Sequence, residues 1–372
     1  MMNCYEKIGL SRVVNASGRM SKLGASTISD ITAKQVLEAA KNYVVVDELI
    51  DRAGQIISQY TLAQDSCVCC SASAAIAISV AGLISKGKKS IIEKLPVTDG
   101  LANEVIIQKG HVINYGACED QMIRLGGGKV VEVGMANKVE LEDIEEAINE
   151  KTICLMYVKS HHCVQKGMVS LEKMIEIAHR HGLPVLVDAA AEEDLKKYVA
   201  MGADLVCYSG HKAFEANTSG FVTGKKELIS YCKKQYIGIG RAMKVGKEQI
   251  MGLLAALQQY EMKNIDEYVD KQKEIVSYLI DKLNQIKGLS CQMIQDEAGR
   301  EIYRCQVKLS SKELNITAAE LDKKLQEGNI KIYCRNHWTN NNIIAFDPRP
   351  MVEGDKELIV RKMIEILGEQ NG

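Results

Sequence analysis

The sequence predicts an α/β fold: a mostly parallel sheet covered by helices on both faces, followed by a smaller α+β domain. Three observations carry that reading. Short apolar runs alternate with helix-like segments from residue 46 to 246, several of those segments end in glycine, and beyond 246 the texture changes to long helices with polar faces. Near-continuously apolar runs mark strands buried on both faces, as a sheet lying under crossover helices requires. Glycine directly after a helical pattern is the usual C-cap, because it enters the left-handed conformation without steric cost.

The elements follow in order. Residues 1–45 include "VVNASGRMSKLGASTIS", a polar loop between apolar ends, and read as an arm. The segment "SASAAIAISVAGLISKG" (71–87) is apolar all round, too short to span a membrane, and opens with serines; it reads as a buried helix. Strand-like runs then appear at "EVIIQ" (104–108), "VVEVG" (130–134), "TICLMYV" (152–158), "LPVLVDAA" (183–190), "ADLVCYS" (203–209) and "SGFVTG" (219–224). Charged residues at helical spacing fill 140–150, 170–182 and 192–202 between them. Helices at 247–261 and 264–286 open the second domain. There "IYRCQVKLS", "IKIYCR" and "NIIAFD" alternate with "TAAELDKKLQEG" and a last helix, "GDKELIVRKMIEILGE". The predicted organisation is an arm (1–45), a large domain (46–246) and a small C-terminal domain (247–372).

Composition narrows the function. Forty-seven basic and forty-eight acidic residues leave a net charge of −1, so no bulk field draws the chain to nucleic acid or to an anionic membrane. The first residues lack the apolar run of a signal peptide, and the expectation is a cytoplasmic protein. Twelve cysteines are scattered along the chain. Neither "CVCC" (67–70) nor "HHC" (161–163) has the spaced second pair of a zinc site, so we expect no metal and mostly reduced, buried thiols.

The chemistry concentrates at strand ends. "PVLVDAA" ends in Asp188, and one helix and one turn later "LVCYSGHK" ends in Lys212. Ligands of parallel sheets bind at the carboxyl ends of strands, where both side chains fall. A lysine and a carboxylate so placed suit pyridoxal 5'-phosphate: the lysine bonds its aldehyde and the carboxylate keeps the pyridine nitrogen protonated. Taken singly, Asp188 also reads as a helix cap and Lys212 as a loop lysine; their joint spacing favours the site. Ser71, Ala72 and Ser73 precede the alanine-rich helix, where free N–H groups and hydroxyls make a phosphate cradle, and a serine-capped buried helix would read the same way. Ser209 supplies a further hydroxyl three residues before Lys212.

The stretches "VVNASGRMSKLG", "SASAAI", "KGHVINYG", "MIRLGGGKVVEVG", "YVKSHHCVQKGMVS", "VDAAAEED", "YSGHKA" and "RAMKVGKEQIMGLLAAL" resemble fold-type I pyridoxal-phosphate enzymes of the selenocysteine synthase group. Within that group the resemblance is to the ammonia-lyase branch, and it runs from about residue 8 to the end. It implies a seven-stranded, mostly parallel sheet and a reaction that removes water and ammonia from a phosphorylated amino sugar acid. It also implies roles: Lys212 carries the cofactor, Asp188 partners the pyridine nitrogen, and His111 stacks on the ring. Ser71, Ala72, Ser73 and Ser209 hold the phosphate, while Ser160, His161 and His162 face the substrate. Adjacent residues of an extended segment point oppositely, so only one of the two histidines is expected to do chemistry. Arg349 matches a position that grips an α-carboxylate, for which a guanidinium fork is suited. Arg241 and Lys244 are expected near a substrate phosphate, or else in solvent. Arg19 and Lys22 are expected to reach an active site at the interface of a homodimer or larger homo-oligomer. The chain departs from the group at His211, where a second glycine is usual, and at "EANTSG" (215–220). Alternatives that share Lys212 and Asp188 are a β- or γ-lyase of sulfur amino acids, a selenocysteine synthase-like transferase, and an inactive cofactor-binding regulator. The second would need a basic surplus for transfer RNA, which the charge balance does not offer.

Overall fold

The computed structural model describes residues 3–160, 162–296 and 300–368. The chain divides into two units: Ile28–Met262, and Met1–Thr27 joined with Lys263–Gly372. The described strands are β1 (Arg12–Ala16), β2 (Asp65–Cys69), β3 (Glu104–Gln108), β4 (Lys129–Val133), β5 (Thr152–Val158), β6 (Val185–Asp188), β7 (Leu205–Ser209), β8 (Gly220–Gly224), β9 (Leu289–Gln295), β10 (Tyr303–Leu309), β11 (Ile330–Cys334) and β12 (Ile343–Phe346).

The larger unit is built on a seven-stranded sheet in the order β2-β8-β7-β6-β5-β3-β4. β8 alone runs against its neighbours β2 and β7, and the remaining pairs are parallel. Parallel strands need crossovers, and the crossover helices cover both faces. The pleat shows in the core: Leu155 packs with Val185, Val187 and Val206 on one face, while Cys154 and Met156 pack with Leu186, Leu205 and Cys207 on the other. Helices Val46–Thr61, Leu171–Arg180 and Lys247–Glu261 bury Ile57, Met174 and Leu253 against the first face. Helix Ala72–Ser85 lies on the second, buried everywhere but at Ser73. Cys67, Cys69, Cys207 and Cys232 are buried around it as unpaired thiols and serve as small apolar filling.

The smaller unit pairs β1 with β11 in parallel and sets β12, β10 and β9 in an antiparallel sheet. Val14, Val276, Leu279, Val307, Phe346 and Met363 share its core. Both units depart from the expected boundaries. Residues 12–16 are a strand of the smaller unit and not part of an arm, and helix Asp30–Lys41 belongs to the larger one. That helix is pinned to Lys247–Glu261 by Gln259 Nε2 donating to Thr32 Oγ1 (2.9 Å) and Lys247 Nζ donating to Ala40 O (2.9 Å). Lys247–Glu261, expected to open the C-terminal domain, sits in the larger unit because Ile250, Leu253, Ala256 and Leu257 complete its core. The helix expected over 192–202 is confined to Lys197–Ala200. Asp194 Oδ1 accepts the N–H groups of Lys196 (2.9 Å) and Lys197 (3.0 Å), so the helix starts there.

Gly220 opens β8 directly against the start of helix Ala72–Ser85. A Cβ there would lie 2.5 Å from Ser71 C and 2.6 Å from Ala72 N, both backbone atoms. Gly220→Ala is therefore expected to lower stability by about 1–3 kcal/mol, as over-packing of a close-packed interior does. A urea unfolding curve should show an earlier midpoint with unchanged slope.

Candidate active site

The carboxyl ends of β2, β3, β5, β6 and β7 lie along one edge of the sheet, as parallel strands must. Asp188 ends β6 and is buried, with Oδ1 accepting the Ala190 N–H at 2.9 Å. β7 leads through Gly210 into the turn that carries Lys212. That turn is held by Gly210 N–H on Ser219 O (2.9 Å) and Ala216 N–H on Gly210 O (3.0 Å). A side chain at Gly210 would meet Ser219 Oγ at 2.3 Å, so the turn follows the sheet closely. Burial raises the Asp188 carboxyl, and the charge of Lys212 opposes the rise. The two residues thus face each other electrostatically, as their spacing suggested.

Beside them lies the serine-rich helix start. Ser71 caps helix Ala72–Ser85 by accepting the Ala74 N–H (3.0 Å), and Ser73 Oγ shares a hydrogen bond with Tyr115 Oη (3.0 Å). Ser209 pairs across the sheet with Gly220, whose backbone abuts Ser71 and Ala72, so three of the predicted cradle residues border one glycine and Ser73 follows them in the helix. The Ser209 hydroxyl is buried and has no partner among the described residues. His111 is buried after β3, its Nδ1 accepting the Val158 N–H at 3.3 Å and its ring edge-on to Tyr157 with centroids 4.6 Å apart. Burial first, and the charge of Lys159 second, lower its pKa to about 4, so the ring is neutral. A cavity of about 140 Å³ lies beside it, lined by Lys159, Ser160, Cys163 and Gln165. His162 is exposed and its N–H donates to Ser160 Oγ at 3.2 Å; His161 lies outside the described residues.

Other predicted residues are carried by other segments. Arg241 and Lys244 are exposed on the turn before helix Lys247–Glu261. Three belong to the smaller unit. Arg19 Nη2 donates to Tyr268 Oη (2.9 Å), and Lys22 Nζ lies 5.6 Å from the centre of the Tyr333 ring. Arg349 grips the buried Asp347 with its fork, Nε to Oδ1 at 3.0 Å and Nη2 to Oδ2 at 2.9 Å, and Arg304 Nε adds a third bond at 3.0 Å.

Sequence reading missed two residues. Arg335, at the end of β11, stands in the same cluster, its Nη1 3.8 Å from where a Cβ on Gly18 would be. Its guanidinium makes no hydrogen bond or ion pair among the described residues, and burial with Arg304 and Arg349 nearby lowers its pKa. A charge at the end of the run "IKIYCR" was the available signal. Glu119 is fully buried beside Asp188 and Lys212, and both its carboxyl oxygens lack a hydrogen-bond partner among the described residues. Its place in the acidic start of a short helix looked like ordinary helix patterning.

Residues 13–324 match the family described as L-seryl-tRNA selenium transferase. The chain is 43% identical over 364 residues to D-glucosaminate-6-phosphate ammonia lyase of Salmonella typhimurium, with 98% of each chain covered. It is 36% identical over 370 residues to a 5'-C-glycyluridine monooxygenase-decarboxylase of Streptomyces sp, covering 99% of this chain and 93% of the other. A solved structure of D-glucosaminate-6-phosphate ammonia-lyase superposes with a TM-score of 0.95 at 42% identity, over 100% of both chains.

The surroundings of His111 generate a direct expectation. An NMR titration of its ring should find the neutral form retained until the pH falls toward about 4. A midpoint at the ordinary histidine value would contradict the burial described.

Proposed function

This chain belongs to the L-seryl-tRNA selenium transferase family, and we propose that it is a pyridoxal 5'-phosphate-dependent carbon–nitrogen lyase acting on D-glucosaminate 6-phosphate. The reaction eliminates water to leave an enamine; its tautomer is hydrolysed, which takes one water back up, releases ammonia and gives 2-keto-3-deoxygluconate 6-phosphate. The observation that carries the reading is the facing of Asp188 and Lys212 at adjacent strand ends, in a chain that matches an ammonia lyase along nearly its whole length.

The residues present fit the cofactor. Ser209 Oγ is a buried hydroxyl without a hydrogen-bond partner among the described residues, beside a helix start where Gly220 leaves the backbone bare. Ser71, Ala72, Ser73 and Ser209 would hold the phosphate, Asp188 the ring nitrogen, His111 a ring face and Lys212 the aldehyde carbon. When bound, the group supplies an electron-accepting ring that stabilises negative charge at a substrate α-carbon.

The remaining work falls to side chains. As a free amine, Lys212 Nζ would take the substrate's α-proton. The ammonium so formed gives that proton to the β-hydroxyl, which leaves as water, and one residue closes the proton balance. Asp188 would hold the ring nitrogen as its ionised partner. His111 offers a neutral surface and competes with neither charge. His162 is exposed, so Lys212 is the acid we assign. Arg335 and Arg349 are assigned to the substrate carboxylate, Arg335 supplying the uncommitted guanidinium. Ser160, Arg19, Lys22, Arg241 and Lys244 are the donors assigned to substrate hydroxyls and the distal phosphate. No helix among the described residues is long and apolar enough to cross a membrane. We assign the protein to the cytoplasm as a homo-oligomer, acting on a small molecule and not on nucleic acid.

The test is an absorbance spectrum of protein reconstituted with pyridoxal 5'-phosphate, for the wild type and Lys212→Ala. A visible band that disappears in the variant is expected. Adding D-glucosaminate 6-phosphate to the wild type should then release ammonia and a keto acid in equal amounts, without oxygen uptake. Absence of the band would overturn the cofactor assignment; a band without ammonia release would overturn the substrate.

A further inference from the structure

We propose that Glu119 is a positioning residue of this site: a buried carboxyl that keeps its proton and leaves Asp188 as the one ionised carboxylate at the sheet edge. Its functional consequence rests on the reading of Asp188 given above; its protonation belongs to the protein without cofactor.

The geometry begins in the loop after His111. Glu119 N–H donates to Ile113 O (2.9 Å), Asn114 and Cys118 form an antiparallel bridge, and Tyr115 N–H donates to Ala117 O (3.1 Å). This small closed turn delivers the Glu119 side chain inward, where the residue is 0% exposed. Neither carboxyl oxygen meets a donor among the described residues. A buried charge without donors is strongly disfavoured, whereas a neutral acid in the same place is not.

The neighbours decide which carboxyl ionises. Glu119 is faced by Asp188 from β6, Lys212 from the turn after β7, and Asp120 on its own helix. Tyr115, Cys163 and Cys207 also lie within its field, and helix Ala72–Ser85, packed against it, has no charged side chain. Asp188 accepts an N–H from Ala190, against the opposing charge of Glu192; Glu119 has no such bond among the described residues. One lysine charge balances one carboxylate, and the hydrogen bond gives that place to Asp188. Burial first and Asp188 second push Glu119 up to about 9, against the pull of Lys212. Two carboxyls facing one lysine therefore share a single negative charge.

The sign of the pH dependence follows. In the unfolded chain Glu119 ionises at an ordinary carboxylate pH, while in the folded protein it does so only in the alkaline range. Its contribution to stability is complete below the first value and is lost as pH rises toward the second. The experiment is urea unfolding of the cofactor-free protein across pH for wild type, Glu119→Gln and Asp188→Asn. Between the two ionisations, the folding equilibrium constant of the wild type should fall relative to Glu119→Gln by up to about tenfold per pH unit. In Asp188→Asn the alkaline end of this fall should move to lower pH, because the repelling charge is gone. Parallel wild-type and Glu119→Gln profiles would overturn the proposal, and an unmoved limb in Asp188→Asn would overturn the pairing. If a variant fails to fold, infrared spectroscopy of the wild type decides: a buried protonated-carboxyl band at neutral pH that vanishes on alkalinisation is expected, and its absence refutes the assignment. No cofactor enters these measurements, so their failure is distinct from failure of the proposed function.

Discussion

The site depends on the directional constraint of parallel strands. Each parallel neighbour must return through a crossover, so β2, β3, β5, β6 and β7 all finish at one edge. That edge gathers a helix start, a buried imidazole, a carboxylate and a lysine from distant parts of the chain. β8, the one reversed strand, begins at the same edge and presses Gly220 against Ser71 and Ala72. The arrangement needs strands buried on both faces, and the alternation of Leu155 with Cys154 and Met156 between two cores supplies it.

On that frame, electrostatics assigns the parts. His111 is buried near a lysine and stays neutral; Asp188 is buried near a different lysine and has a backbone donor. In the smaller unit the balance is opposite. Burial alone would raise Asp347, yet Arg349 and Arg304 hold it well below the usual carboxylate range. Arg335 shares the field of Asp347 and Asp296 with these arginines, and burial lowers its pKa. Removal of a guanidinium that grips a carboxylate usually costs more than its surface exposure suggests, because the partner stays desolvated.

Much of the frame was legible in residue order. The six apolar runs from 104 to 224 are β3 to β8 within a residue or two at most ends, and the Asp188–Lys212 interval spans the ends of the adjacent strands β6 and β7. β2 escaped notice because "DSCVC" reads as a cysteine cluster; in the fold those thiols are filling for a sheet face. The domain limits were misplaced because Lys247–Glu261 shows a polar face and a new texture, and nothing local reveals that Leu253 and Leu257 belong to the earlier core. Glu119 and Arg335 were missed for a related reason. A carboxylate at a helix start and an arginine at a strand end are usual on surfaces, and only tertiary packing removes their water or their partners.

The parallel pairing of β1 with β11 sets Arg12 beside Ile330 and Ala16 beside Cys334. Closing so long a loop costs little at equilibrium, since the entropy rises by only about 0.6 kcal/mol for each doubling of length. In time the effect is larger. On a ribosome the continuous stretch Ile28–Met262 is finished before β11 and can collapse as a unit, while β1 waits for its partner. Until β11 emerges, Val13 and Val14 are an unpaired edge, open to whatever strand or chaperone meets them. The order of synthesis thus leaves β1 without its partner until well after the chain of the larger unit is made.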